Sequence, residues 1–353
     1  MALAFVDLES IDLGGGGTRH YLELLRFLSR ENTIFMFARS MFIEKYLKHN
    51  FKITKYISYE PRSLLDLKAY FDGIRFGKSL DKIKGVISTT TFFNTYMFSL
   101  GISSIRRVPL IILAHHKPRL KERVRLLGLK GLATYLFYFP AVYSNYYYTN
   151  SYILYTQSTK RLGFRNYNNI WIRIQETAFN TRMTKKDIDI CYLGRCTKMK
   201  GFHEFLYVCS KLRERFPSLK VVVMGSSVQL KIPSWINYLG FVDEQLKYEI
   251  LSRSKVFLFL SHEEGFSISI VEAMCNRAVV ISWDLPEYPF KNIIRVKEGN
   301  IDEIIKNLEK ILVDSQKLEE MSIKAYEEAK SYISNELMYE EIDFILKIIQ
   351  KDG

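Results

Sequence analysis

The 353-residue sequence is short of cysteine, proline and long apolar runs, and each scarcity excludes a class of protein. The four cysteines stand at 191, 196, 209 and 275; none forms a CxxC pair and no partnering His pair lies nearby, so the spacing does not suit a zinc site. Isolated cysteines of this kind suit a reducing interior. Eight prolines and eighteen glycines are too few for long low-complexity linkers. The longest apolar run, Leu132 to Tyr143, contains Pro140 and falls short of the about 20 residues that a membrane-spanning helix needs. The opening MALAFVDLES places Asp7 and Glu9 where a signal peptide would need apolar residues. These absences lead us to expect a cytoplasmic protein that is soluble or lies on the cytoplasmic face of a membrane.

Acidic residues are scarce in one half alone. Residues 1–180 carry 26 Lys and Arg against 12 Asp and Glu, while residues 181–353 carry 25 against 26, so the whole net charge of +13 comes from the first half. That asymmetry points to one domain that meets a polyanion, such as a membrane surface or a nucleic acid.

What is present is a globular composition, 48% apolar and 25% charged, at a length that suits two domains. Short apolar runs alternate with longer amphipathic segments, the sign of βαβ units and parallel sheets. Strands are expected at Ala2–Asp7, Thr33–Ala38, Gly85–Ser88, Pro109–Ala114 and Tyr152–Tyr155, then at Asp189–Gly194, Lys220–Gly225, Val256–Ser261 and Ala278–Ser282. Helices fit from about Thr18 to Arg30 and at 201–215, 243–253, 268–276, 301–313 and 315–331. Apolar periodicity lapses near 176–187, which divides the chain into domains at 1–178 and 179–334. An amphipathic helix over 335–353 (Leu337, Ile342, Ile345, Leu346, Ile349) is expected to cross back to the first domain.

Three features of the second half carry chemistry. Gly194-Arg195 follows the strand DICYL and precedes Lys200-Gly201. Cations at the C-terminal end of a strand can neutralise a diphosphate, although alone they also fit a solvated surface. In SHEEGFSISIVEAM, Glu264 and Glu272 are eight positions apart, which on one helix would set them about 80° apart and about 12 Å along the axis. Gly265 allows close backbone approach, and the N–H groups of Phe266 and Ser267 suit a phosphate at a helix N-terminus. Glu264 can accept from sugar hydroxyls and Glu272 from ribose hydroxyls; read alone, they also fit a helix-dipole residue and an exposed helix Glu. Asp284-Leu285-Pro286-Glu287 follows the strand AVVIS, and its backbone N–H groups could meet an anion, or form a plain turn.

In this order and spacing, YLGRCTKMKGFHEFL, YLGFVDEQL, FLSHEEGFSISIVEAM and LPE resemble the C-terminal domain of retaining glycosyltransferases of family 4. The resemblance spans nearly all of 188–330. It implies an α/β architecture of the GT-B type, two Rossmann-like domains with parallel sheets facing a central cleft. It also implies that Arg195 and Lys200 bind the donor diphosphate, Glu264 the transferred sugar and Glu272 the ribose. The chain departs from the family at Cys275-Asn276-Arg277, where a Gly-containing turn is usual, and at Asp284, where Gly usually precedes LPE.

In the first half, Gly14–Gly17 sits between a strand and a helix but is neither a dinucleotide fingerprint nor a P-loop. Alone it reads as a tight turn. Within the resemblance GGGGTRHYLELL is similar to the loop that approaches donor phosphates and acceptor, with Gly15 and Gly16 the expected contacts and Arg19 a lesser one. His115 ends the strand PLIILA and matches the family's histidine near the reacting sugar, with His116 the alternative; either could also be a structural histidine. Residues 119–132 place Leu120, Val124 and Leu127 in a stripe between Arg119, Arg123 and Lys130 on one side and Lys121 and Arg125 on the other. That pattern, with the tyrosines and phenylalanines that follow, suits a helix in an anionic lipid interface or a core-facing helix with solvated flanks.

The expected activity is a retaining, metal-independent hexosyl transfer from a nucleotide-diphosphate sugar, UDP- or GDP-linked, to a glycan, lipid-linked or other membrane-associated acceptor. No cofactor is expected. The rival readings are a sugar-nucleotide epimerase on the same fold, a binding-only relative, and a nucleic-acid-binding or DNA-glucosylating protein; no recognisable reader motif supports the last.

Overall fold

Runs such as LAFV, LIILA and VFLF have no polar face, so each can be covered only by being buried on both sides, as strands of parallel sheets are. In the computed structural model the first group of strands is β1 (Ala2–Asp7), β2 (Thr33–Ala38), β3 (Lys55–Ser58), β4 (Ile83–Ser88), β5 (Leu110–Ala114), β6 (Ser151–Thr156) and β7 (Tyr167–Ile170). They form one sheet in the order β3-β2-β1-β4-β5-β6-β7, every pair parallel. The second group is β8 (Ile188–Leu193), β9 (Val221–Met224), β10 (Asn237–Gly240), β11 (Ser254–Phe259), β12 (Val279–Trp283) and β13 (Ile294–Val296). Its order is β10-β9-β8-β11-β12-β13, again wholly parallel. Residues 1–10, 16–48, 50–51, 53–63, 65–80, 82–115, 118–156, 167–170, 178, 184–226, 231–333 and 335–351 are described. The chain divides into two units, Met1–Ile172 with Asn335–Gly353, and Arg173–Ser334.

Each sheet runs outward from its first strand in one direction and then reverses. The reversal falls between β1 and β4 in one unit and between β8 and β11 in the other. Beyond the C-terminal ends of strands at such a point lies the crevice where open α/β sheets take ligands. In register, Val6 stands beside Phe37 and Ser88, and Phe257 beside Cys191 and Val280.

The first sheet's core includes Val6, Phe37, Val86, Phe98 and Ile112, all fully buried. In the second unit Tyr192, Phe202 and Phe205 pack at ring separations of 5.0 to 5.8 Å directly beneath the loop after β8. Each such aromatic side chain contributes about 1.5–3 kcal/mol by burial. Three helices of this unit begin at capping side chains: Asp243 for Glu244–Arg253, Asn300 for Ile301–Val313 and Asp314 for Ser315–Ala329. The closing helix, Asn335–Lys351, belongs to the first unit, where Tyr339 meets Phe27 edge-on at 5.6 Å.

Two local expectations are corrected. Residues 119–132 do not form one helix: Leu120–Leu127 and Leu129–Leu136 are separated at Gly128, whose φ of +60° ends the first. Arg123 does not flank an exposed stripe there; it is buried, with its guanidinium 4.7 Å from the centroid of the Tyr138 ring. Glu264 and Glu272 do not share a helix, because Ile268–Cys275 begins four residues after Glu264. Among the described residues no helix is long and apolar enough to cross a membrane.

Candidate active site

In the second unit the loops after β8 and β11 leave the sheet on either side of the chain reversal, and both are tied down. After β8 the chain makes a short helical turn, Lys198–Lys200, and then reverses at Gly201. Gly201 has φ +66°, and a Cβ there would sit 1.8 Å from the Leu260 carbonyl oxygen, so only glycine lets the two loops touch. The contact is hydrogen-bonded as well: His262 N–H donates to the Met199 carbonyl (2.9 Å) and Ser261 Oγ donates to the same oxygen (3.3 Å).

On this joined platform Lys200 Nζ donates to Glu264 Oε1, with side chains 22% and 11% exposed. The structure therefore brings together the cation and the carboxylate expected for diphosphate and sugar. A diphosphate arriving at Lys200 would compete with Glu264 and release that carboxylate toward hydroxyl groups. Arg195 stands exposed at the end of β8. Its carbonyl accepts from the Tyr192 hydroxyl (2.8 Å), which fixes the backbone beneath it.

Glu272 lies on the helix Ile268–Cys275 and is 4% exposed. Its Oε1 accepts from Lys247 Nζ (2.6 Å) and from the Tyr248 hydroxyl (3.3 Å); Lys247 is itself buried and also donates to Glu244 (3.0 Å). The carboxylate is therefore held in a network rather than standing open, and Lys247 and Tyr248 were not singled out from sequence. At the start of that helix Ser267 adopts the left-handed region (φ +65°) without being glycine, and Phe266 is buried against Phe290 and Tyr332. Non-glycine residues held in this region cluster at catalytic and ligand-binding sites.

Beneath Glu263 and Glu264, His262 is clamped by two carboxylates, Nδ1 at 2.7 Å from Glu298 and Nε2 at 3.0 Å from Glu204. Burial opposes its charge, yet the two carboxylates push the imidazole up to about 9. Glu204 is held below the usual carboxylate range: burial would raise it, and the hydrogen bond from His262 wins.

The loop after β12 offers less than expected. Asp284 and Leu285 spend their N–H groups on the carbonyls of Val296 (2.7 Å) and Trp283 (3.0 Å), and Pro286 has none. The turn 275–277 is explained by its backbone. Arg277 occupies φ +56°, the conformation that makes glycine usual there, with its guanidinium 3.8 Å from the Tyr326 ring centroid. Asn276 Nδ2 donates to the carbonyls of Glu272 (2.8 Å) and Ala178 (2.9 Å).

In the first unit, His115 stands directly after β5 with Nε2 3.1 Å from the Thr89 carbonyl oxygen. Gly17, in the first turn of the helix Gly16–Leu28, packs on that ring; a Cβ on it would lie 2.6 Å from His115 Cδ2. Gly16 opens the same helix, and Arg19 follows in its first turn. Gly15 and His116 lie outside the described residues.

Beyond β1 stands a polar group that sequence reasoning did not single out. Asp7 is buried; its Oδ2 accepts from the Tyr21 hydroxyl, and its Oδ1 from the N–H groups of Glu9 (3.2 Å) and Ser10 (3.1 Å). Burial pushes Glu9 up to about 7, Arg39 opposing and Asp7 reinforcing, with a hydrogen bond from Asn94 opposing as well. A carboxyl group that titrates near neutrality at the C-terminal edge of a sheet is the kind of group that can take and return protons. Among the described residues no cluster of three or more His, Cys, Asp and Glu could hold a metal ion.

Residues 173–328 match the family described as "Glycosyl transferases group 1". No curated protein matches the chain. Among solved structures, Anabaena HepE in complex with UDP-glucose is 14% identical, with TM-score 0.74, covering 98% of this chain and 99% of that one. The sucrose-phosphate synthase of Thermosynechococcus elongatus is 13% identical, with TM-score 0.76 and full coverage of both chains. WaaG, a glycosyltransferase involved in lipopolysaccharide biosynthesis, is 13% identical, with TM-score 0.72, covering 97% of this chain and 99% of that one. The chain thus carries the two-sheet α/β architecture of the GT-B glycosyltransferases, and its second unit matches the glycosyl transferases group 1 over nearly its whole length.

Proposed function

We propose that the protein is a retaining glycosyltransferase that moves a hexose from a nucleotide-diphosphate sugar to a membrane-associated glycan or lipid-linked acceptor. The observation that carries this reading is the Lys200–Glu264 pair, on two loops locked together at the chain reversal of the second sheet. A cation and a carboxylate there match the two ends of a sugar diphosphate, and Arg195 and the start of the helix Ile268–Cys275 add positive potential beside them. Glu272, ordered by Lys247, supplies the acceptor oxygen for ribose hydroxyls. HepE was solved with UDP-glucose, which favours a UDP-sugar as donor.

In the proposed reaction the bond between the sugar C1 and the diphosphate oxygen breaks. A bond from the acceptor hydroxyl to C1 forms on the same face, and the hydroxyl proton passes to the departing phosphate oxygen. Arg195, Lys200 and the helix start stabilise the charge that develops on the diphosphate, the role a metal ion plays elsewhere. In the first unit, His115, held by Gly17 and the Thr89 carbonyl, is the residue we assign to the acceptor step.

The reading is tested by screening UDP-, GDP- and ADP-sugars for thermal stabilisation and slow donor hydrolysis. One of them should stabilise the protein; Glu272→Ala should weaken that response, and Lys200→Ala should abolish turnover while part of the binding survives. No response to any nucleotide sugar would overturn the reading, and an inverted anomeric configuration in the product would overturn retention.

A further inference from the structure

We infer that His20 and Glu341 are positioning residues for His115, so that the last helix of the chain fixes the ring on the acceptor side of the proposed reaction. The role of His115 rests on the proposed function; the coupling rests on geometry alone.

The helix Asn335–Lys351 turns a stripe into the first unit: Met338, Glu341, Ile345, Ile348 and Ile349 are all buried. Four of these are apolar and one is a carboxylate. Glu341 meets His20, from the helix Gly16–Leu28, with Oε2 at 2.8 Å from Nε2, and both side chains are fully shielded from solvent. The remaining polar atoms, Glu341 Oε1 and His20 Nδ1, are buried without hydrogen-bond partners. Burial of such a pair is poor for stability, because apolar side chains of similar volume would fill the same space without desolvating polar groups.

What the pair does achieve is orientation. The hydrogen bond to Glu341 fixes the rotation of the His20 ring, and that ring meets His115 edge-on, with centroids 5.2 Å apart and planes at 79°. His115 is therefore bounded by the backbone of Gly17, by the Thr89 carbonyl and by His20. A loosened His20 removes the edge-on contact from one side of the His115 ring and shifts the ring within its remaining contacts. A misplacement of about 1 Å at a reacting group is enough to slow a step by about 100-fold.

The test compares Glu341→Gln, Glu341→Leu and the double variant His20→Phe/Glu341→Leu in the full chain. The double variant replaces the pair by apolar groups, so it is expected to melt at or above the wild-type temperature. Two readouts follow: the ring nitrogen resonances of His115 in histidine-labelled protein, assigned with His115→Gln, and the steady-state constants with the nucleotide sugar that the wild type uses. The expected result is a displaced or broadened His115 signal and at least a ten-fold fall in kcat, with donor KM within two-fold, in both Leu-containing variants. Glu341→Gln, which keeps a hydrogen bond, should recover most of both. A stable double variant with an unchanged His115 signal and wild-type kcat overturns the inference. If the wild type turns over no nucleotide sugar, the proposed function fails instead, and the resonance comparison still decides the coupling.

Discussion

Lys247 keeps Glu272 an acceptor. With both side chains 5% exposed, the buried carboxylate depends on the ammonium 2.6 Å away for opposite charge, which the Tyr248 hydroxyl does not supply. Removing one partner of such a pair is expected to cost about 3–5 kcal/mol, whereas removing both leaves an apolar gap that costs much less. Lys247→Met should therefore lower the melting temperature clearly, and adding Glu272→Leu should restore most of it. The restored double variant should nevertheless show no thermal response to the nucleotide sugar. Thermal melts with and without donor check both statements, and equal stability of the single and double variants would refute the pairing argument. Residue type and spacing drew attention to Lys200, Glu264 and Glu272 as candidates, Glu272 because a carboxylate inside an otherwise apolar helix is conspicuous, and the resemblance gave them their expected roles. Their partners were not legible. Lys247 lies 25 positions from Glu272, and Glu341 lies 321 from His20, so only the folded chain joins them.

At the scale of elements, the loop after β11 is held by a charged clamp whose strength depends on pH. His262 rises from an ordinary value of 6.5 to about 9 because Glu204 and Glu298 favour its protonated form more than burial opposes it. A folded-state value above the unfolded one means that the stabilisation is complete below about 6.5 and disappears as pH climbs through about 9. A rise of that size corresponds to about 3 kcal/mol. Chemical denaturation across pH 6.5–9.5 should show the wild type losing stability faster than His262→Gln, and parallel slopes would remove the clamp from the account. The same scale explains which strands could be read. β1, β5, β8 and β11 each hold at least four consecutive residues that are apolar on both faces, so they stood out. β3, β10 and β13 did not: they are three or four residues long, and KYIS and NYLG have few apolar residues because an edge or near-edge strand is covered less. Arg277 shows the opposite failure. A left-handed residue is invisible in a sequence when it is not glycine, and here Tyr326 stacking accompanies the conformation.

At the scale of the whole molecule, charge and apolar exposure coincide in one place. The net positive charge lies in residues 1–180, and within them the helices Leu120–Leu127 and Leu129–Leu136 leave Leu120, Val124, Leu129, Leu132 and Leu136 exposed, Leu129 at 85%. Lys121, Arg125 and Lys130 are exposed on the same two helices. The break at Gly128 and the burial of Arg123 remove the single long stripe, but the two helices still present exposed apolar side chains and cations together. Such a surface gains from an anionic bilayer twice, by burying leucines and by about 1 kcal/mol per cation near the surface. Three cations therefore correspond to a partition of the order of 100-fold in favour of anionic over neutral vesicles at low salt. Vesicle flotation should recover the protein with anionic lipid and release it as salt rises. Leu129→Glu/Leu136→Glu should lower recovery several-fold while leaving the donor-induced thermal shift unchanged, since no donor residue lies on these helices. Equal recovery on neutral and anionic vesicles at low salt would refute the membrane reading of the charge asymmetry.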